Sequence, residues 1–406
     1  MYIARSIESW IRRASSQFPV LLLTGARQVG KTTLLRHLAG DERRYVTLDD
    51  PLARALANDD PRLFLSRFPP PVLIDEVQYA PGLLSFLKMA VDETPMRGGF
   101  WLTGSQPFHL MGGVSESLAG RVGVLQLHGL SQREIRGDDA PAPFVPSRSF
   151  LEGRAATGGA ADPMEIFRRV FRGGLPACVA EPEVDREIFF GSYVQTWLQR
   201  DIRDLARVGD ERSFLRFLRA AAARTGQLLN MADLARDVDV APNTVKAWLS
   251  ILESSGVVLL LEPYHTNRTV RLVKAPKLHF LDTGLCAYLN RWTSPETLEA
   301  GAMAGHLLES WAVAEILKSF VHAGRQTPLS YYRDRDGREV DLLIEWDGVL
   351  YPLEIKRTAT PRRDHVRSFQ ALSKLDLPVG TGGLLNLSSD LMPLADDLWS
   401  IPLGLL

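Results

Sequence analysis

The chain has 406 residues, 45% of them hydrophobic and 23% charged, with a formal net charge of −1 at pH 7. That length suits two or three domains, the composition describes a soluble globular protein with ample core, and the charge balance excludes a global electrostatic pull towards nucleic acid. Cys178 and Cys286 make neither a disulfide framework nor a metal-ligand spacing, no apolar run reaches the length of a membrane span, and MYIARSIESWIRR lacks a signal-peptide pattern, so a cytoplasmic protein with no membrane partner is expected.

Residues 1–137 alternate apolar strands with amphipathic helices, with strands expected at 19–24, 44–48, 71–75, 99–103 and 122–127. This is the rhythm of an open parallel α/β sheet. The first strand runs into GARQVGKT, which fits G-x-x-x-x-G-K-[ST], and an apolar helix follows. Gly25, Ala26, Arg27, Gln28, Val29, Gly30, Lys31, Thr32 and Thr33 would cradle the phosphates of ATP with backbone N–H groups at a helix N-terminus. Lys31 would neutralise the β and γ phosphates, and the Thr32 hydroxyl would hold Mg²⁺.

The third strand, PVLIDE, ends in two carboxylates. Asp75 fits a second Mg²⁺ contact, and Glu76 fits the base that activates the attacking water. The fourth strand ends in Thr103-Gly104-Ser105-Gln106, where Ser105 would sense the γ-phosphate or hold water, or simply form a turn. Arg121, just before the fifth strand, fits either an arginine finger reaching a neighbouring subunit's nucleotide or a structural salt bridge.

Residues 138–163 lose periodicity and fill with Ala, Pro and Gly, as a loop or linker does. Helical patterning returns over 164–226, with 193–205 and 213–226 clearest; Arg200, Arg203, Arg216 and Arg219 there suit solvated faces or a second nucleotide sensor. Over 227–282 the order is a short helix, a turn, a second helix with Asn243 or Thr244 as cap and Gly256 at its end, then a hairpin: the winged-helix order. Lys246 on the second helix, and Arg268, Arg271, Lys274 and Lys277 (with His265) on the hairpin, would contact DNA phosphates. Few side chains there read bases, so binding would follow the backbone rather than the sequence; packing or protein contact is the alternative use.

Towards the C-terminus, GHLLESWAVAEILKSF forms a helix carrying Glu309, GREVDLLIEW a strand carrying Asp341, and LYPLEIKR a strand carrying Glu354 and Lys356. Asp341 and Glu354 on neighbouring strands would share Mg²⁺, with Glu309 in support and Lys356 positioning the attacking water. This set resembles the PD-(D/E)xK nuclease core, with Val340 where that motif has proline, and basic residues at 356–367 follow it.

Taken together, TGARQVGKTTLL, LIDEVQ, LTGSQ, ESLAGRV, GGLP at 173–176, QRDI at 199–202 and the YYRDRDGREVDLLIE…LEIKR tail resemble the prokaryotic AAA+ ATPases that carry a C-terminal domain of unknown function with a nuclease-like core. The resemblance implies an AAA+ core at 1–137, a linker and helical lid at 138–226, a winged helix at 227–290 and a nuclease-like domain at 291–406. It also implies a homo-oligomer, often a ring, using ATP and Mg²⁺. The module order is similar to that of Holliday-junction branch-migration motors. The leading expectation is therefore ATP-driven remodelling of duplex or branched DNA. The alternatives are an ATP-regulated metal-dependent nuclease and a nucleotide-dependent switch that binds a protein.

Overall fold

The computed structural model describes residues 2–105, 117–138, 142–158, 161–181, 183–197, 211–264, 275–375 and 377–406. The five expected N-terminal strands all form: β1 (Val20–Thr24), β2 (Arg44–Thr47), β3 (Val72–Asp75), β4 (Phe100–Gly104) and β5 (Val122–Gln126). They make an all-parallel sheet in the order β2-β3-β4-β1-β5.

A strand covered on both faces must be apolar throughout, and all five residues of β1 are buried. Alternation sends Leu21 and Leu23 to one core, with Ile7 at the start of the Glu8–Gln17 helix, Ile11 within it and Leu34 of the Lys31–Ala39 helix. Val20 and Leu22 go to the opposite core, with Leu84 and Leu87 of the Leu83–Glu93 helix. Truncating Leu22 to alanine at such a site costs about 2–5 kcal/mol.

The loop expected over 138–163 is interrupted by a helix, Arg148–Ala156. Ser147 Oγ accepts the Phe150 N–H at 3.3 Å as its N-cap, and Leu151 is the helix's one buried residue. A single apolar anchor in nine residues leaves too little periodicity to stand out in an Ala-, Pro- and Gly-rich stretch. This region also ties down the chain's last residues: Arg136 donates to the Gly404 and Leu406 carbonyls, both at 2.8 Å, and Arg154 to that of Leu405 at 2.5 Å.

Helices Pro163–Arg172, Pro176–Ala180, Arg186–Trp197 and Glu211–Ala222 follow. Arg216 and Arg219 face solvent, while Arg200 and Arg203 lie outside the described residues. Next come β6 (Gln227–Leu228), helices Met231–Val238 and Pro242–Ser254, β7 (Val258–Leu261) and β8 (Lys277–Phe280), with an antiparallel sheet in the order β6-β8-β7. Asn230 caps the first helix by accepting from the Ala232 and Asp233 N–H groups. The second begins at Pro242 after Ala241, so neither Asn243 nor Thr244 is its cap. Proline at the first helical position lacks only an N–H that would be unpaired anyway, and its φ is already helical.

The C-terminal region is built on the Ala304–Val321 helix and a six-stranded sheet. Its strands are β9 (Leu329–Arg333), β10 (Glu339–Trp346), β11 (Val349–Ile355), β12 (Gly382–Asn386), β13 (Met392–Ala395) and β14 (Leu398–Pro402), ordered β13-β14-β12-β11-β10-β9. β9, β10 and β11 are antiparallel neighbours, β11, β12 and β14 run parallel, and β13 returns antiparallel at the edge. The helix is buried almost all round, as a central helix must be, so its Glu309, Glu315 and Lys318 all need polar partners inside the protein.

Candidate nucleotide site and a second carboxylate cluster

Backbone geometry shapes the turn after β1. Gly25 has φ +145°, and a Cβ there would stand 2.1 Å from the Leu127 carbonyl oxygen, so only glycine fits. Gly30, at φ +93°, precedes the Lys31–Ala39 helix, whose N-terminus faces the turn. Lys31 Nζ donates to the Gly25 and Ala26 carbonyls at 2.9 and 2.8 Å, which folds the lysine over the loop. Arg5 backs this loop from inside: its guanidinium donates to the Val29 carbonyl at 3.0 Å and the His128 carbonyl at 2.7 Å, and it pairs with Glu134 at 3.2 Å. His322, at the end of the Ala304–Val321 helix, meets the same Glu134 carboxylate through Nδ1 at 3.2 Å. Burial raises Glu134, but the charges of His322 and Arg5 outweigh it and hold its carboxyl below the usual carboxylate range.

Because β4 lies between β1 and β3, its end delivers hydroxyls between the loop and the β3 carboxylates. Asp75 accepts from Thr32 Oγ1 at 2.9 and 3.1 Å, from the Tyr45 hydroxyl at 3.0 Å and from the Thr103 hydroxyl. Glu76 adopts φ +57°, a left-handed conformation that a non-glycine residue holds only when its surroundings enforce it. Its N–H donates to Thr103 Oγ1 at 3.0 Å, and its carboxylate accepts from Ser105 Oγ at 3.1 and 3.2 Å and from the Gln78 amide. The backbone is twisted to turn this carboxylate towards the glycine loop.

Between the loop and helices Pro176–Ala180 and Arg186–Trp197 lies a cavity of about 500 Å³ lined by Gln28, Lys31, Thr32, Glu76, Ser105 and, from the far side, Pro176, Glu181, Tyr193 and Thr196. A narrower cleft of about 80 Å³ adjoins it, sharing Gly30, Thr33, Pro176 and Ala180 and adding Tyr2, Ile3 and Leu34. Sequence reasoning placed the loop and carboxylate residues but missed Tyr2, Arg5, Pro176 and Tyr193. GGLP was the only signal for any of them, and it marks the turn that brings Pro176 opposite the loop.

Arg121 does not join this cavity. It precedes β5, at the end of the sheet away from the glycine loop, and its guanidinium forks onto Asp92 at 2.6 and 3.0 Å. Lys246 is exposed, and Arg268, Arg271 and Lys274, with His265, lie outside the described residues. Lys277 corrects the expectation of a phosphate-contacting side chain: it is 2% exposed and turns inward. β8 is the central strand of its sheet, so this face of it is core, and acids from the C-terminal region neutralise the lysine.

Those acids form the second cluster. Glu309 and Asp341 meet at Lys277, and Asp341 and Glu354 meet at Lys356, beside the Leu342–Leu353 pair of the β10–β11 ladder. Lys277 Nζ lies 2.9 Å from Glu309, 2.5 Å from Glu339 and 3.7 Å from Asp341. Lys356 Nζ lies 2.5 Å from Glu354 and 3.4 Å from Asp341. Burial, then the Asp341 charge, pushes Glu309 up to about 8 and Glu354 up to about 7. Burial alone would lower Lys277, but Glu309, Asp341 and Glu339 outweigh it and hold its pKa well above the ordinary lysine value. Among the described residues, no group of three or more His, Cys, Asp or Glu side chains is arranged to hold a metal ion. These acids, with two lysines between them, do not fit the Mg²⁺ expected there.

A family model described as an AAA domain matches residues 17–136, and the chain is a P-loop ATPase of that class. Residues 164–296 and 304–406 match two domains of unknown function, DUF8612 and DUF4143. The uncharacterized proteins Rv2008c of Mycobacterium tuberculosis and Mb2031c of Mycobacterium bovis are each 33% identical over 402 residues, covering 98% of this chain and 83% of theirs. The chain belongs to the family of these mycobacterial proteins. Among solved structures, the Walker-type ATPase PABY2304 of Pyrococcus abyssi aligns with a TM-score of 0.42 and 16% identity, over 71% of this chain and 96% of that one. The RuvB Holliday junction branch migration motor of Thermotoga maritima aligns at 0.29 and 18%, over 63% and 86%.

Proposed function

We propose that this chain hydrolyses ATP at the cavity between its glycine loop and lid helices and uses the cycle to bind and remodel, or move along, duplex or branched DNA. One observation carries the coupling: a Cβ on Gly256, at the end of the Pro242–Ser254 helix, would lie 3.6 Å from the Ala26 backbone nitrogen. The helix that exposes Lys246 therefore ends against the phosphate-binding loop. A change in loop conformation on nucleotide binding would press directly on that helix.

In this reading the backbone of residues 25–33 binds the phosphates, Lys31 leaves the Gly25 and Ala26 carbonyls to neutralise them, and the cleft beside Tyr2 takes the base. Thr32 and Asp75 offer the hard oxygen donors that Mg²⁺ prefers and already face one another, so they would hold it; bound there, the ion offsets phosphate charge. Glu76, aimed by Ser105 and Gln78, takes the proton of the attacking water as its oxygen bonds to the γ-phosphorus and the bond to ADP breaks. Arg121 would act on the nucleotide of a neighbouring copy in a ring, leaving Asp92 to do so.

The helix–turn–helix and antiparallel sheet of residues 227–280 support a winged-helix reading, and the mixed sheet β9–β12 supports a nuclease-like ancestry for the C-terminal region. Phosphate release by wild type and Glu76→Gln, each alone, with duplex and with a four-way junction, tests the proposal. DNA should accelerate wild type in a salt-sensitive way, and the variant should be inactive throughout. A rate indifferent to every DNA form would shift the reading to a nucleotide switch that binds a protein.

A further inference from the structure

The C-terminal cluster looks at first like a hydrolytic centre waiting for its ion. Glu309 comes from the long helix, and Glu339 and Asp341 come from β10, where its pairing with β9 shifts register after Val340 and lets both reach the same lysine. Their carboxylates converge on one point. That point is filled by the Lys277 ammonium, carried in from a different sheet.

We infer that Lys277 is a resident cation that takes the place of a divalent metal among Glu309, Glu339 and Asp341, so that the cluster is an ion-pair joint between β8 and the C-terminal sheet and not a centre for cleaving phosphodiesters. The rest of the geometry agrees. Asp341 Oδ1 faces Lys277, while its Oδ2 accepts the Ile355 N–H at 2.9 Å and meets Lys356 at 3.4 Å. Both oxygens of Asp341 therefore face a protein cation or an N–H. A divalent ion needs oxygen ligands at about 2.0–2.6 Å, and the protein ammonium occupies the volume they would enclose. Lys277 has no short way out, because it is 2% exposed and belongs to a strand paired on both sides. A buried lysine ringed by acids is held charged by them, and it neutralises them in return.

Replacing Lys277 by methionine, which keeps the stem and removes the charge, would leave three carboxylates around a small void: a hard-oxygen set that the wild-type protein lacks. The test uses the full-length, nucleotide-free protein titrated with MnCl₂ alone, with bound Mn²⁺ read from loss of the free-ion EPR signal. Any wild-type binding should vanish in Asp75→Asn and persist in Asp341→Asn. Lys277→Met should gain one further site per chain, lost again in Lys277→Met/Asp341→Asn. Because Lys277→Met leaves its acids uncompensated, its thermal unfolding is followed with and without Mn²⁺. A Mn²⁺-dependent rise in Tm beyond that of wild type supports the inference, and equal shifts overturn it. Wild-type Mn²⁺ binding or DNA cleavage that disappears in Asp341→Asn would also overturn it, whatever becomes of the lysine variant.

Discussion

Two sites in this chain are built from the same parts, clustered carboxylates with a lysine in reach, and they end in opposite states. At the N-terminal site the lysine rests on backbone carbonyls and the carboxylates border a cavity of about 500 Å³. At the C-terminal site the lysines lie among the carboxylates themselves. The difference is where each lysine comes from. Lys31 opens the helix that follows the loop and rests on that loop's own carbonyls. Lys277 comes from a distant strand and is locked in when two sheets meet. Residue type at the right spacing therefore does not define a reactive site; the space left around it does.

The largest expected effect separates the two by chemistry. Glu76→Gln should lower ATP turnover by about 10²- to 10⁴-fold with nucleotide binding retained, whereas Glu354→Gln should leave turnover unchanged, both read by steady-state phosphate release. Equal losses would mean that the C-terminal carboxylates take part in the ATPase cycle. The second separates them by stability. Lys277→Ala breaks a buried ion pair and should cost about 3–5 kcal/mol in urea unfolding. Lys31→Ala should cost far less, because its two carbonyls regain water from the cavity. A reversed order would contradict the open and closed assignments.

A third, smaller effect concerns pH. Burial holds His128 and His279 neutral down to about 3 and lowers His322 too. Below their ordinary value of 6.5 the unfolded chain takes up protons that the folded chain refuses, so these three drain stability as pH falls. Glu309 and Glu354 act the other way. Between 4.5 and their raised values the folded chain holds protons that the unfolded chain releases, so they add stability as pH falls. Glu309→Gln/Glu354→Gln should therefore lose stability more steeply than wild type from pH 6.5 to 5, and parallel urea curves would contradict the closed cluster. The smallest effect is at Arg121. Its ion pair with Asp92 is exposed, so Arg121→Ala should leave the unfolding midpoint unchanged. If it acts on a neighbour's nucleotide, mixing it with Glu76→Gln should restore turnover that neither variant shows alone.

What was legible in the sequence follows from contiguity. The glycine loop and the β3 carboxylates are continuous stretches whose chemistry needs only local backbone, and β1, β3, β4 and β5 announce themselves as apolar runs, whereas β2 is the mixed stretch RYVT. Of the C-terminal acids, Asp341 and Glu354 were legible because they sit on the two strands of one hairpin, but Glu339 was not. Lys277 was not, because its partners come from a helix 32 residues on and from a strand in another sheet. A basic residue beside a basic hairpin reads as surface until tertiary packing says otherwise. Arg5, whose carbonyl partner His128 is 123 residues away, and Tyr193 across the cavity were illegible for the same reason.

One reaction tests the contrast most directly: the full-length protein with ATP, Mg²⁺ or Mn²⁺ and labelled duplex DNA, with phosphate release and DNA length followed in the same tube for wild type, Glu76→Gln and Asp341→Asn. Wild type and Asp341→Asn should release phosphate, Glu76→Gln should not, and the DNA should stay full length in all three. DNA cut by wild type and left whole by Asp341→Asn would contradict it.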